Sequence, residues 1–134
     1  MTALHAGRCR CGSVMFAART EPFWRSYCHC NDCRRATGAP VTAFVGWRAS
    51  ECEFIGDTRK VTRLGAVERS FCSECGSPLD YRDDRLPGEI YVYLGVLDSP
   101  EDFPPTLHAF DGQRLPFMRI ANELPRYNRF SVER

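Results

Sequence analysis

Three short stretches decide how this chain is read: Cys9-Arg10-Cys11-Gly12, Cys28-His29-Cys30-Asn31-Asp32-Cys33 and Cys72-Ser73-Glu74-Cys75-Gly76. Together they hold seven of the eight cysteines, and seven divides into four plus three. Structural zinc is usually closed by four protein ligands, whereas catalytic zinc keeps three and leaves one position open. The count therefore points to two zinc ions per chain with different tasks. A disulfide framework is the competing reading, but partners one or two residues apart fit the geometry of a bridge poorly.

Cys72-x-x-Cys75-Gly76 reads as a zinc-knuckle turn. Its two-residue spacer lets both thiolates meet one ion, and Gly76 permits a tight or left-handed backbone. Cys9 and Cys11 stand at i and i+2 of an extended segment and so face the same way. Both pairs end in glycine ahead of an expected strand. Joined, they make a closed structural zinc site that ties the first dozen residues to the seventies.

Cys28, Cys30 and Cys33 remain for a second, open zinc site, with Cys52, His29 or His108 as the alternatives that would close it. His29 lies between two ligands and is expected to point away from them. Cys52 sits in the alternating run Glu51–Ile55 and is expected in the core. Three thiolates more than neutralise a dipositive ion, so bound water is acidified less than in a three-histidine site, and a soft thiol ligand is favoured. Arg34 and Arg35 follow the last ligand and are candidates to offset that charge or to grip a substrate carboxylate. His29 is the nearest candidate for proton transfer, since histidine titrates near neutral pH. Thiol chemistry is the natural inference, and hydrolysis fits less well.

At 134 residues the chain is expected to be a single domain, 1–134. Its formal net charge of +1 supplies no field to recruit nucleic acid or an anionic membrane. Met1–Arg8 lacks the apolar run of a signal peptide, and no stretch approaches a membrane span. The expectation is a cytoplasmic protein, where clustered cysteines act as ligands rather than bridges. Lys60 is the only lysine among many arginines, which reads first as composition bias.

No window sustains a helical apolar period for ten residues. Short β-type runs recur instead, at Val14–Ala18, Val41–Trp47, Cys52–Ile55, Val67–Phe71, Leu79–Arg82 and Ile90–Leu97. Gly56-Asp57, Pro87-Gly88 and Asp111-Gly112 read as turns. Two short helical turns are expected, at Asn31–Ala36 and from Ser99, where Pro100 and Asp102 suggest a capping box. The fold class is mainly β, with coiled antiparallel sheets.

The motifs resemble those of the glutathione-dependent formaldehyde-activating enzyme domain, also found in centromere protein V. The resemblance is carried by Gly7-Arg8-Cys9-Arg10-Cys11-Gly12-Ser13-Val14, by residues Cys28 to Pro40 and by residues Arg69 to Leu79, with a weaker tail match from His108 to Pro125. It covers about residues 5–127. It implies an Mss4-like fold and the same zinc partition, with Cys9, Cys11, Cys72 and Cys75 structural and Cys28, Cys30 and Cys33 at the active site. It also implies a carbon–sulfur lyase reaction between glutathione and formaldehyde. The tail departs from the pattern at Phe117, where tryptophan is frequent, and at Asn122-Glu123, where Asp-Gly is common. The rival expectation is a non-catalytic, zinc-stabilised binding module of the same fold.

Overall fold

Ten short strands and one helix of two turns make up the computed structural model, which describes residues 3–63 and 65–129. The chain forms two compact units, Met1–Trp24 with Val45–Phe103, and Arg25–Phe44 with Pro104–Arg134. No helix among the described residues is long and apolar enough to cross a membrane.

In the first unit, β1 (His5–Arg8), β2 (Met15–Ala18) and β5 (Cys52–Ile55) form an antiparallel sheet in the order β1-β2-β5. Alternation sets its two faces: Phe16 and Ala18 are buried, while Met15 and its cross-strand partner Ile55 face solvent. An antiparallel ladder follows, of β6 (Thr58–Arg63), β7 (Val67–Cys72), β8 (Pro78–Asp83) and β9 (Glu89–Tyr93). Trp47, on β4 (Thr42–Arg48), anchors the core. Its ring is fully buried between Phe16 (5.3 Å) and Phe103 (6.1 Å), and its indole N–H donates to the Thr20 carbonyl at 2.8 Å. A buried Trp needs such a partner, because an orphaned donor would oppose the gain from burying the ring.

The second unit contains most of β3 (Trp24–Cys28), the helix α1 (Asn31–Thr37), the start of β4 and β10 (His108–Ala109). β10 pairs with β3 in parallel, His108 opposite Tyr27 and Ala109 opposite Cys28, an exception to the antiparallel expectation.

Two expected elements are corrected. The run Ile90–Leu97 is not one strand: β9 stops at Tyr93, and Leu94–Val96 form a 3-10 turn. Its alternation does not mark a half-buried strand either, since Ile90, Tyr91, Val92 and Tyr93 are all buried. Past the turn, Leu97 bridges to Gly7, where a Cβ would lie 2.3 Å from the Val96 oxygen. At Ser99 no side-chain capping bond forms. The Ser99 carbonyl instead accepts the Asp102 N–H, and only the 3-10 turn Pro100–Asp102 results. The Asn31–Ala36 helix is found, one residue longer.

Candidate metal centres and a buried histidine pair

Cys9, Cys11, Cys72 and Cys75 converge, each offering a sulfur within 4.8 Å of the others. Two loops of similar construction bring them together. In one, the Cys9 N–H donates to the Val14 carbonyl (3.0 Å) and the Gly12 N–H to the Cys9 carbonyl (3.2 Å). In the other, the Cys72 N–H donates to Ser77 (3.0 Å) and the Gly76 N–H to Cys72 (2.9 Å). Gly12 and Gly76 both take left-handed backbone (φ 82° and 75°), which a side chain would resist. A serine follows each glycine, and its hydroxyl oxygen lies 3.0 Å from the sulfur of the preceding cysteine: Ser13 at Cys11, Ser77 at Cys75. Ser77 also accepts the Arg10 N–H at 3.0 Å, pinning one loop to the other.

The sulfur separations test whether a metal fits. Four thiolates at about 2.3 Å from a tetrahedral ion lie about 3.8 Å from one another. Cys9–Cys11 measures 3.6 Å and Cys11–Cys72 measures 3.9 Å. A disulfide requires about 2.05 Å, and all eight cysteines are free. The donor set fits a thiolate-bound ion. Two of its thiols also ionise readily. The Ser77 hydroxyl and backbone N–H hold Cys75 down to about 5. Burial of Cys9 is outweighed by the Val14 N–H and neighbouring side chains, which leaves it at about 7. Cys11 is raised instead: the hydrogen bonds from Ser13 lower it, but burial and contacts with Cys9 and Cys75 outweigh them.

Cys28, Cys30 and Cys33 form a group of three, with Cys28 and Cys33 sulfurs 3.7 Å apart, again the edge of a thiolate tetrahedron. Cys28 ends β3, and Cys33 lies in the first turn of α1. Cys30 is the helix N-cap, its sulfur accepting the Cys33 N–H at 3.2 Å. Folding of the helix thus aims all three sulfurs at one point. Here the thiols resist ionisation. Contacts with Cys30 and Cys33, together with burial, push Cys28 well above the ordinary value. Cys30, despite its bond with Cys28, is pushed up to about 11 by Cys33 and by burial.

The other expected site residues fall as follows. Arg34 donates to the His29 carbonyl, to the Gln113 carbonyl (2.9 Å) and to Asn31 Oδ1, so its guanidinium is engaged within the protein. Arg35 is exposed. Cys52 is half-buried at the start of β5 rather than in the core. His29 joins neither cysteine group. It is fully buried, and its Nε2 lies 2.8 Å from Nδ1 of His108, which is also fully buried. Burial first, and then the neighbouring His108 ring, lowers His29 to about 4, so it is neutral near pH 7. Asp111 lies within reach of the pair, and its carboxylate is held by Arg126 (2.6 Å) and Arg114 (3.5 Å).

Sequence reasoning missed Ser13 and Ser77, although the repeated Cys-Gly-Ser was a usable signal. It also missed the partnership of His108 with His29, which lie 79 residues apart and carry no local motif.

A family model for the glutathione-dependent formaldehyde-activating enzyme matches residues 4–113. A Halomonas elongata protein provisionally named for that enzyme is 28% identical over 110 residues, covering 74% of this chain and 69% of the relative. An uncharacterized lyase of Schizosaccharomyces pombe is 32% identical over 95 residues, 67% of each chain. A crystal structure of a Rhodobacter sphaeroides protein superposes with a TM-score of 0.57 at 18% identity, covering 91% of this chain and 99% of that one, a likeness of fold. The chain belongs to the glutathione-dependent formaldehyde-activating enzyme family.

Proposed function

We propose that this chain is a zinc-dependent carbon–sulfur lyase-type enzyme acting on a thiol adduct. Glutathione plus formaldehyde, giving S-hydroxymethylglutathione, is the first reaction to test. The observation that carries the reading is the three-sulfur group of Cys28, Cys30 and Cys33, which leaves a tetrahedral ion one position for an outside ligand. Family membership and the names of the relatives support the thiol and the lyase class.

Two zinc ions per chain are assigned. Cys9, Cys11, Cys72 and Cys75 hold the structural one, and Cys28, Cys30 and Cys33 the other. Zinc bound there supplies Lewis acidity and a soft acceptor for a thiolate. The protein's own groups do the rest. Cys30, as N-cap, keeps the sulfurs aligned with the helix. Arg35 is the exposed guanidinium suited to a glutathione carboxylate, while Arg34 braces the loop. His29, neutral and buried, is suited to accept a hydrogen bond rather than to carry a charge. We assign the whole chain to one functional domain acting in the cytoplasm, where clustered free thiols persist.

The test is to incubate zinc-loaded protein with glutathione and formaldehyde and to follow adduct exchange by NMR. Exchange faster than in protein-free solution, and lost in Cys30→Ser, is expected. Exchange at the protein-free rate removes this substrate pair.

A further inference from the structure

His29 and His108 share a chain of hydrogen bonds whose direction is fixed at one end. His108 Nε2 lies 3.0 Å from the Ala121 carbonyl, which can only accept, so Nε2 carries the proton. A second proton on this fully buried ring would place a charge in the protein interior, and the nearby Asp111 carboxylate is already charge-compensated through Oδ1 by Arg126 and Arg114. His108 Nδ1 is therefore an acceptor. The contact to His29 at 2.8 Å then requires His29 Nε2 to donate, which leaves His29 Nδ1 unprotonated.

Every other polar group of His29 is occupied. Its N–H donates to the Ala109 carbonyl at 3.1 Å, and its carbonyl accepts from Arg34. The ring lies edge to edge with His108 in nearly parallel planes (5.1 Å, 22°), and His108 stacks on Tyr27 (5.2 Å, 24°). Nδ1 alone is buried and has no partner among the described residues. Buried polar atoms in native proteins are almost always paired, so an orphan marks a ligand, a water or a reacting group. Ala121, whose carbonyl orients the relay, is one of two non-glycine residues among those described with left-handed backbone (φ 44°).

We infer that His108 is a positioning residue that locks His29 as the Nε2–H tautomer, so that His29 Nδ1 is a preorganised acceptor for an O–H donor from outside the chain. That donor is the hydroxyl of the thiol–aldehyde adduct or an ordered water. The adduct half rests on the proposed function; the tautomer does not.

The test uses zinc-loaded, full-length protein labelled with 15N-histidine at neutral pH. The expected spectrum has His29 Nδ1 pyridine-like and Nε2 protonated, and His108 in the same state. His108→Leu should mix the His29 tautomers and lower kcat at least about tenfold with KM little changed, the signature of a misplaced group. His108→Asn, whose Oδ1 can take the place of Nδ1, should restore both. Adding glutathione with formaldehyde separates the donors: a moved Nδ1 shift assigns the adduct hydroxyl, and an unmoved shift with a cross-peak to water assigns the water. A protonated Nδ1 in the wild type, or a tautomer unchanged in His108→Leu, overturns the inference. The wild-type spectrum needs no variant to fold. Absence of turnover would remove the substrate pair and leave the tautomer reading intact.

Discussion

The two cysteine clusters use the same atom type and similar sulfur spacing, yet differ in everything around the sulfurs. The four-cysteine cluster joins positions at least as far apart as Cys11 and Cys72, 61 residues, and the three-cysteine cluster spans only the five from Cys28 to Cys33. Closing the longer loop restrains about 2 kcal/mol more chain entropy, by the logarithmic scaling of loop closure. Hydroxyl and N–H donors surround the first cluster, including Ser13, Ser77 and the Glu74 N–H (3.4 Å from Cys72). They lower Cys75 and Cys9 toward the thiolate while Cys11 stays raised, and the second cluster pushes both Cys28 and Cys30 upward. A centre that crosslinks distant segments and is stabilised as the anion suits a structural role. One confined to a helix cap, with three sulfurs, suits exchange of an outside ligand.

The largest expected effect separates the clusters by mutation. Cys72→Ser should lower the melting temperature strongly or give insoluble protein, because metal binding at that site is coupled to folding. Cys30→Ser should remove one zinc equivalent and activity while the fold survives, since serine is itself a good N-cap. The reverse pattern, with Cys30→Ser unfolded and Cys72→Ser folded and inactive, would exchange the two assignments.

Acidification should sharpen the contrast. A thiol with a raised metal-free pKa holds its proton against the metal at every pH below that value, so affinity falls as pH falls. Cys28 and Cys30 compete in this way throughout the neutral range; in the four-cysteine cluster Cys11 does so too, but Cys75 competes only below about 5 and Cys9 below about 7. Between pH 8 and 6 the three-cysteine cluster should therefore release zinc first. A metal-indicator assay on wild type and Cys30→Ser reads this directly, and equal release from both proteins would contradict it.

Smaller effects follow at the flanking residues. Arg34→Ala removes donors to two backbone carbonyls and should cost about 1–3 kcal/mol in denaturant unfolding. Arg35→Ala should leave stability unchanged and raise only the KM for glutathione. Ser77→Ala should be mild, raising the Cys75 thiol and costing about 1 kcal/mol through the lost contacts with Cys75 and the Arg10 N–H.

The cysteine spacings made the two clusters legible in the sequence, because ligand geometry is local within each pair and only the four-plus-three partition was needed to join them. Strands carrying alternation or β-branched runs, such as β4 and β7, were legible for the same local reason. β1 (His5–Arg8) and β3 (Trp24–Cys28) were not, since His-Ala-Gly-Arg and Trp-Arg-Ser-Tyr-Cys lack an apolar period and become strands through their pairing partners. The roles of Arg34 and His29 were hidden likewise: Gln113 and His108, the partners that define them, arrive from about 80 residues downstream.

The central claim, one closed and one open metal centre, is tested most directly by titrating the purified protein with a mild chelator while monitoring zinc release and far-UV circular dichroism together. Two equivalents should leave in two phases, the first with almost no change in the spectrum and the second with unfolding. A single phase of release accompanied by unfolding would contradict the partition.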